Sequence, residues 1–227
     1  MAILGKYIIK KIRYETAMKV VIKNHYLHRP APCSFAFGLY EIDGDNSGLF
    51  ITDRLVGVIT YGTPSSAPLR SGLCGFEERN NVIELTRLWI EDSTPKNAES
   101  YLIGNTLRMV DKEIIVSFAE ISAGHIGTVY QATNWIYTGL SAKRTNWTIE
   151  GVELHGQTIA DKYTSKELKE IFGDSFSLQD RPRKHRYIFF NCNKKRKKVL
   201  LSKLRYSIES YPKLEKAIQQ YETQQAP

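Results

Sequence analysis

The run EIIVSFAE, residues 113–120, ends in an acidic side chain directly after a pattern typical of a buried strand. A residue at the carboxyl end of a strand in an open α/β sheet lies at the rim where ligands usually bind. Glu120 is therefore placed to act as a general base or to hydrogen-bond a polar substrate. The alternative for this residue type is a solvated acid at the end of a strand.

The stretch AGHIGTVYQATNW follows that strand and holds an imidazole, a phenol and an indole. The pattern predicts a helix from about His125 to Trp135. Gly124 and Gly127 flank its first residue, so backbone N–H groups can approach a ligand closely and His125 can carry a proton. Alternatively, the glycines serve only close packing, and Tyr130 and Trp135 belong to the core.

The run VIELTRLWI, residues 82–90, carries one cation on an apolar face of a predicted strand. Arg87 alternates with Leu85 and Trp89 along the pleat and so shares a face with them. An arginine on such a face implies a partner, which is a bound donor, Glu120 or a structural ion pair with Glu84.

Two further segments contain side chains suited to binding. NHYLHRP holds His25 and His28 at the end of a helix, a spacing that permits a shared metal but lacks an evident third ligand. Tyr61 ends the strand VGVITYG before a Pro/Ser/Gly loop, where its ring can stack on an extruded base or pack in a hairpin. Both alternatives are left open.

The elements that position these residues follow from hydrophobic periodicity and turn residues. We expect strands at 7–12, 34–42, 49–62, 82–90, 113–120 and 186–191, with a further strand region in TNWTIEGVELHG, and helices at 15–26, from about 94–97 to 111, at 125–135, in YTSKELKEIF and in PKLEKAIQQYETQ. The run DGDNSG is a strong turn signal, GTPSSAPLRSG is predicted as a loop, and Thr164 and Glu167 have the spacing of a capping box. This order predicts a mixed sheet covered by helices.

Charge is concentrated in one part of this chain of 227 residues with a net charge of +8. Between Arg181 and Arg205 there are eleven Lys or Arg residues and no acidic residue, and the remainder has 21 basic against 24 acidic residues. The excess predicts a polyanionic partner at one place on the molecule. We expect a domain at 1–190 and a basic C-terminal extension at 191–227. The candidate contacts to the phosphate backbone of a nucleic acid are Arg181, Arg183, Lys184, Arg186, Lys194, Lys195, Arg196, Lys197 and Lys198.

The remaining composition excludes several classes of protein. Hydrophobic content of 42% and charged content of 25% are near globular averages, which disfavours disordered and fibrous proteins. The three cysteines match no disulfide framework or zinc pattern. No apolar run approaches the roughly 20 residues of a membrane span, and the N-terminus lacks the features of a signal peptide. These observations predict a cytoplasmic protein without a membrane partner.

Longer strings of the sequence resemble a known family. ELTRLWI, PKNAESYLIG, VSFAEISAGHIGTVYQATNWIYTG, RPRKHRYIFF and YPK together are similar to the Mom-type DNA adenine-modification proteins of bacteriophages, over about residues 15–213. GTVYQATNW is also similar to the fourth-helix signature of the GNAT acyltransferase superfamily. The resemblance implies a GNAT-like α/β fold with a mixed, mostly antiparallel central sheet flanked by helices.

The resemblance also implies roles for particular residues. Tyr130 matches the tyrosine that commonly serves as the general acid for a departing thiolate, and His28 and Arg29 fall in the loop expected at the rim of the acceptor site. Glu120 stands where the family usually has aspartate. The glycine-rich coenzyme A loop of GNAT enzymes is replaced by PKNAESYLIG, in which Asn97 and Ser100 can still receive an anionic or carbonyl group.

The function implied is transfer to adenine N6 in double-stranded DNA, giving N6-methylcarbamoyl-adenine that resists host restriction, in the cytoplasm of the host. We expect Glu120, Tyr130, Arg87 and His125 to be catalytic, Asn97, Ser100, Gly124 and Gly127 to bind the cofactor, and His28, Arg29, Tyr61 and Trp135 to bind the base. The donor is left open as acetyl-CoA or another activated acyl or glycyl compound, and iron and the oligomeric state are open as well. The alternatives are a GNAT-fold N-acyltransferase acting on a small amine, tRNA or protein, and a non-catalytic nucleic-acid-binding protein.

Overall fold

A computed structural model describes residues 6–42, 53–152, 159–160 and 162–214. The strands are β1 (Tyr7–Lys11), β2 (Phe35–Glu41), β3 (Arg54–Gly62), β4 (Val82–Ile90), β5 (Ile114–Glu120), β6 (Ile136–Leu140), β7 (Arg144–Ile149), β8 (Phe176–Arg181) and β9 (Lys184–Phe190). The α-helices are α1 (Tyr14–Asn24), α2 (Ala67–Cys74), α3 (Ala98–Thr106), α4 (Thr128–Ala132), α5 (Ser165–Phe172) and α6 (Lys194–Lys203).

The central sheet combines hairpin-type and crossover connections. In the described part of the chain it has the strand order β1-β2-β3-β4-β5-β9-β6, and β7 pairs with β8 separately. The pairs from β1 to β4 are antiparallel, whereas β4 and β5 are parallel, as expected where α3 connects them. The expected mixed, mostly antiparallel sheet flanked by helices is confirmed.

The chain divides into two compact units. The first comprises Met1–Phe118, Gly127–Gly139 and Arg186–Tyr211, and the second comprises Ala119–Ile126, Leu140–His185 and Pro212–Pro227. The unit boundaries therefore fall near the ends of β5, β6 and β9. The division into 1–190 and 191–227 that the sequence suggests stays a prediction.

Apolar faces of helices build the core of the first unit. Ala17, Met18 and Val21 of α1 are buried against Ala36 and Val58 of the sheet. A second cluster joins α2, β4, β5, β9 and α6 through Leu73, Cys74, Val82, Ile114, Val116, Ile188, Phe190 and Leu200. Because Leu200 is fully buried in this cluster, α6 is part of the packed first unit.

The second unit has its own small core of Ile149, Ile159, Leu168 and Phe176. Its helix α5 begins with the expected capping box, in which the Thr164 hydroxyl accepts from the Glu167 N–H and the Glu167 carboxylate accepts from the Thr164 N–H. These two bonds satisfy backbone donors that the first turn of a helix leaves open.

Several element predictions were wrong. The segment predicted as a loop contains α2, which Ser66 caps by accepting from the Leu69 N–H, so the Ser and Pro there start a helix. The helix expected at 125–135 is only α4, because Gly127 and Asn134 have positive φ angles of 81° and 60° on either side of it. Strands β6 and β8 and helix α6 were not predicted.

Two other predictions lie outside the described residues: the DGDNSG turn at 43–48 and most of the terminal helix. Within the described segments, no helix combines the length and apolar character needed to cross a membrane.

Candidate active site

Arg87 is a partly buried cation held by carbonyl oxygens in the first unit. Its Nη1 donates to the Thr86 carbonyl oxygen at 2.6 Å, and its Nη2 donates to the Pro30 carbonyl oxygen at 3.3 Å. Its Nε is buried without a hydrogen-bond partner among the described residues. No carboxylate of the described segments lies within ion-pair distance of this guanidinium, so its charge is available to a bound group.

The surroundings of Arg87 are charged and aromatic. Burial lowers the pKa of Arg87, and the neighbouring Arg29 cation lowers this pKa further. Tyr26 and Glu84 act in the opposite direction and raise it. Two side chains from the loop after α1 and two from β4 therefore share one electrostatic environment.

Tyr130 of α4 lies in the same environment. Its hydroxyl is 2.8 Å from the Ser117 Oγ, and its pKa is raised to about 12 by burial, with the Ser117 hydrogen bond opposing. Tyr26 and Glu84, which also act on Arg87, raise the pKa of Tyr130 further. A phenol with this pKa is protonated at neutral pH and can act only as a proton donor there.

The two glycines of AGHIGTVYQATNW have structural roles. Gly127 adopts a φ of 81° and is buried so closely against Tyr187 that an added Cβ would lie 2.4 Å from its ring. Gly124 adopts a φ of 75° and donates its N–H to the Ile121 carbonyl oxygen at 2.8 Å. The Gly124 N–H is thus engaged within its own turn, and the expected binding of a cofactor by Gly124 and Gly127 stays a prediction.

Two aromatic residues predicted to bind a base are instead in the core. Tyr61 and Trp135 both have 0% of their surface exposed. The Tyr61 hydroxyl lies 2.8 Å from the Thr106 Oγ1, and Trp135 packs against Tyr130 and Phe189 with ring centroids 5.0 and 5.7 Å away. Neither ring presents a face to a base, so the structure contradicts their predicted role.

The second unit contains a carboxylate with a defined partner. Glu120 accepts from the Lys184 Nζ at 2.7 Å and from the Ser122 Oγ at 3.1 Å. Burial, the largest contribution, raises the pKa of Glu120. The hydrogen bond and the charge of Lys184, together with the hydrogen bond of Ser122, outweigh burial and bring this pKa below its usual value. Glu120 is thus ionised at neutral pH and can accept a hydrogen bond or a proton. The exposed His125 lies in the same unit and donates its backbone N–H to the Glu120 carbonyl oxygen at 3.1 Å.

The start of α3 was the expected place for a donor's anionic group. Asn97 is exposed with a φ of 73° and makes no side-chain cap, while the Ser100 hydroxyl donates to the Asn97 carbonyl oxygen at 3.0 Å. Glu99 adds an acidic side chain in the first turn. The Ser100 hydroxyl is engaged and the Glu99 carboxylate opposes an anion. Binding of an anionic or carbonyl group by Asn97 and Ser100 stays a prediction.

The loop after α1 carries His28 and Arg29, whose place at the rim of an acceptor site stays a prediction. His28 is exposed at a φ of 43°, and its Nδ1 lies 3.0 Å from the Ile22 carbonyl oxygen. The His25 Nδ1 accepts from the Leu27 N–H at 3.2 Å. In the described segments no group of three or more His, Cys, Asp or Glu side chains is arranged to hold a metal ion. The shared-metal alternative for His25 and His28 therefore finds no support.

Several residues of the basic segment are engaged inside the protein. Arg186 is buried, donates to the Thr138 side chain at 2.9 Å and stacks 3.5 Å above the Tyr206 ring. Arg196 pairs with Glu78 at 2.5 Å and with Glu113 at 2.8 Å. The prediction that these two arginines contact a DNA backbone is wrong for this arrangement, because internal partners hold both guanidinium groups.

Two other members of the segment also have internal partners. Lys184 pairs with Glu120, as described above, and Arg183 donates to the Ser141 and Leu140 carbonyl oxygens at 2.6 and 3.3 Å. Three exposed lysines of α6 make no ion pair within the described residues: Lys194, Lys195 and Lys198. The exposed Lys203 at the end of this helix pairs with Glu78. Lys197 and Arg181 are partly exposed.

The chain is similar to known proteins over most of its length. Residues 6–213 match the model of the Mom protein family. The chain belongs to this family. It is also similar to the methylcarbamoylase Mom of Escherichia phage Mu, with 26% identity over 216 residues that cover 90% of this chain and 85% of that protein. The family resemblance seen in the sequence is therefore confirmed.

Solved structures similar to this chain include two acetyltransferases. An N-acetyltransferase from Staphylococcus aureus has a TM-score of 0.43 and 11% identity, covering 83% of this chain and 100% of that one. A ribosomal-protein-S5-alanine acetyltransferase from Vibrio fischeri has a TM-score of 0.45 and 9% identity, covering 85% of this chain and 97% of that one.

Three residues of these environments were not predicted from the sequence. Tyr26 lies in NHYLHRP, where the histidines were the predicted binding residues. Ser117 appeared only as part of a buried strand, and Lys184 only as one of many cations. The Lys184 contact with Glu120 joins residues 64 positions apart, which no local pattern reveals.

Proposed function

We propose that this chain is a phage DNA-modifying transferase that acts on the N6 amine of adenine and gives N6-methylcarbamoyl-adenine, protecting the DNA from host restriction enzymes. The observation that carries the proposal is the family match over residues 6–213, together with the similarity to a protein named as a methylcarbamoylase. The enzyme would act in the cytoplasm of the host. Its donor is proposed only by class, as an activated acyl or glycyl compound.

The chemistry of adenine defines what the residues must do. The N6 lone pair is delocalised into the ring, so the amine is a weak nucleophile. A proton must leave N6 as the new bond to carbon forms, and negative charge grows on the donor carbonyl oxygen. The protein must also supply a proton if the leaving group departs as an anion.

Arg87 and Tyr130 suit the donor side of this reaction. The Arg87 guanidinium has N–H groups beyond those that bond the Thr86 and Pro30 carbonyls, and a partly buried cation stabilises a developing oxyanion strongly. Tyr130, with a pKa of about 12, remains protonated and can donate to a leaving anion. Its hydroxyl is buried beside Ser117, so this role requires the leaving atom to reach that hydrogen bond.

Glu120 is proposed as the acceptor of the N6 proton. Its carboxylate is ionised and held in place by Lys184, which fixes its direction. The lowered pKa makes it a weaker base than an unpaired glutamate, so we expect it to receive the proton late, as the amine becomes acidic through bond formation. His125 remains a second candidate for the same step.

The test is mass spectrometry of nucleosides from the DNA of cells that express the protein. Wild-type protein should convert a fraction of deoxyadenosine to its methylcarbamoyl form, and E120Q should abolish the conversion. E150Q is the matched control, since Glu150 is exposed in the same unit and its side chain makes no hydrogen bond or ion pair with the described residues. Unmodified adenine with the wild-type protein would refute the proposed function.

The exposed lysines of α6 are proposed to bind the DNA backbone. Each phosphate contact releases counterions, so the slope of log K against log salt changes by about 0.9 per contact. Replacing Lys194, Lys195 and Lys198 by Gln should reduce the slope by up to about 3. R186Q is the comparison variant, because a buried arginine should leave the slope unchanged if the protein stays folded. An unchanged slope in the triple variant would refute this role of α6.

A further inference from the structure

Strands β7 and β8 of the second unit form a two-stranded ribbon whose two faces differ in chemistry. Their register runs from Arg144 opposite Arg181 to Ile149 opposite Phe176. Directly opposed residues of an antiparallel pair point to the same side, so successive pairs alternate between the two faces. The face that carries Ile149 and Phe176 is buried in the core of the second unit. The other face is therefore turned away from that core.

The face turned away from the core carries only polar side chains, and we call it the polar face of the ribbon. Its members are Arg144, Asn146, Thr148, Ser177, Gln179 and Arg181. Ser177 and Gln179 are exposed, and Asn146 is partly exposed. No member is acidic, and Arg181 makes no ion pair within the described residues. This composition complements a polyanion that also offers hydrogen-bonding groups.

Two amide side chains lie at the centre of the polar face. Asn146 and Gln179 are directly opposite each other, and neither side chain makes a hydrogen bond within the part of the chain that the structure describes. The next pair differs, because the Thr148 Oγ1 lies 2.9 Å from the Ser177 Oγ. An amide both donates and accepts, which allows it to pair with N7 and N6 of adenine on the major-groove edge. The two amides thus have hydrogen-bonding capacity that a base edge can use.

One end of the ribbon is fixed beside Glu120. The Lys184 N–H donates to the Ser141 Oγ at 3.0 Å, and the Ser141 N–H donates to the Lys184 carbonyl oxygen at 2.8 Å. The Lys184 Nζ donates to the Glu120 carboxylate at 2.7 Å. Ser141 and Lys184 lie three residues from Arg144 and Arg181, a stretch of at most about 10 Å. The ribbon therefore extends from the place of the proposed base.

We propose that the ribbon of β7 and β8 enters the major groove of the substrate DNA, where Asn146 and Gln179 hydrogen-bond base edges beside the target adenine. The groove is about 12 Å wide and admits a two-stranded ribbon, whose strands lie about 4.8 Å apart. The inference rests on the proposed function and adds to it the surface that selects the sequence around the modified adenine. Phosphate contacts position a duplex without reading it, so the lysines of α6 and the polar face have different tasks.

The experiment selects duplexes from a pool of random sequence by binding to the full-length protein, and then compares the affinities for selected and unselected duplexes. The wild type should prefer the selected duplex on the order of tenfold. N146A/Q179A should lose this preference and keep its affinity for unselected duplexes, because only contacts to bases are removed. T145A is the matched control, since Thr145 is exposed on β7 but belongs to the opposite face, and it should keep the preference.

Two further measurements locate the contacts. Replacing the purines of the selected duplex by 7-deaza analogues removes the N7 acceptors of the major groove, which should weaken wild-type binding on the order of tenfold and leave N146A/Q179A unaffected. Q179E should shift the preferred base toward cytosine, because a carboxylate accepts from cytosine N4 and cannot donate to adenine N7. A folding defect cannot produce such a shift.

Four results would overturn the inference. They are a wild-type protein without any base preference, an unchanged preference in N146A/Q179A, wild-type binding that is indifferent to the 7-deaza analogues, and a Q179E variant that selects the same bases as the wild type. Failure of the proposed function is separate, because it appears as unmodified adenine with the wild-type protein whichever duplexes that protein selects.

Discussion

Replacing Glu78 by Gln should destabilise the protein by an amount that depends on pH. Glu78 lies in the 3-10 turn before β4, and its side chain is 6% exposed. Its carboxylate accepts from Arg196 at 2.5 Å, from Lys203 at 2.9 Å and from Asn81 at 3.1 Å. Gln keeps the shape of the side chain but removes the charge that both α6 cations face.

The magnitude follows from the pKa of Glu78. The hydrogen bond from Arg196 is the largest cause that lowers this pKa from 4.5 to about 2, while burial opposes it. A carboxyl whose pKa is lower in the folded state stabilises the fold above its unfolded pKa, and the contribution is lost as pH falls toward the folded value. At ~1.4 kcal/mol per pKa unit, ionised Glu78 contributes about 3 kcal/mol at pH 7 and about 1 kcal/mol at pH 3.

Urea unfolding of the wild type and E78Q at pH 7 and pH 3 measures both values. The difference in unfolding free energy should shrink at the lower pH, because the wild type then loses the charge that the variant lacks. E77Q is the matched control, since Glu77 is the exposed neighbour and its substitution should change stability little at either pH. Equal stability of E78Q and wild type at pH 7, or a difference that does not depend on pH, would contradict the reasoning.

Four further substitutions test local packing and hydrogen bonding by urea unfolding. G127A should lower the free energy of unfolding by about 2 kcal/mol or more, because its Cβ would clash with the Tyr187 ring and φ is positive there. G124A has a positive φ but open space around the added Cβ, so it should lower this free energy by only about 1 kcal/mol. Equal losses in the two variants would contradict the close approach of Gly127 to Tyr187. T164A should cost about 1 kcal/mol by removing one half of the capping box, and no loss would show that this cap is dispensable. Y61F should lower the free energy of unfolding by about 1 kcal/mol, because it removes one buried hydrogen bond. It should leave the affinity for DNA unchanged, and a reduced affinity would indicate that Tyr61 does contact the base.

Local patterns predicted the strands well and the helix boundaries less well. Alternation and apolar runs marked β1, β2, β4, β5 and β9, because strands that face a core on one or both sides carry their own signal. Helix α2 was missed because its Ser66 cap and its proline in the first turn resemble turn residues until a helix follows them. Helix α6 was missed because its sequence is unusually basic and because the acidic partners of its Arg196, Glu78 and Glu113, lie far away in the chain.

The residues of the candidate site also differ in how well the sequence predicts their positions. The sequence predicted Arg87 on a strand and Glu120 at the end of one, and both lie there. Their catalytic roles stay predictions. Tyr61 and Trp135 were assigned wrongly, because residue type does not tell a stacking ring from a core ring. That difference depends on which side of the sheet is covered, and therefore on contacts between distant elements.

The basic segment shows how charge in a sequence separates into two roles on folding. A count of eleven cations suggests a large phosphate-binding surface. Arg196 and Lys203 instead pair with Glu78, whereas Lys194, Lys195 and Lys198 are exposed and make no ion pair within the described residues. One set of cations thus holds the helix and the other is free to meet a polyanion. Under the proposed role of α6 in binding DNA, loss of the Glu78 carboxylate should weaken that binding indirectly, by loosening α6, without changing the number of its exposed lysines.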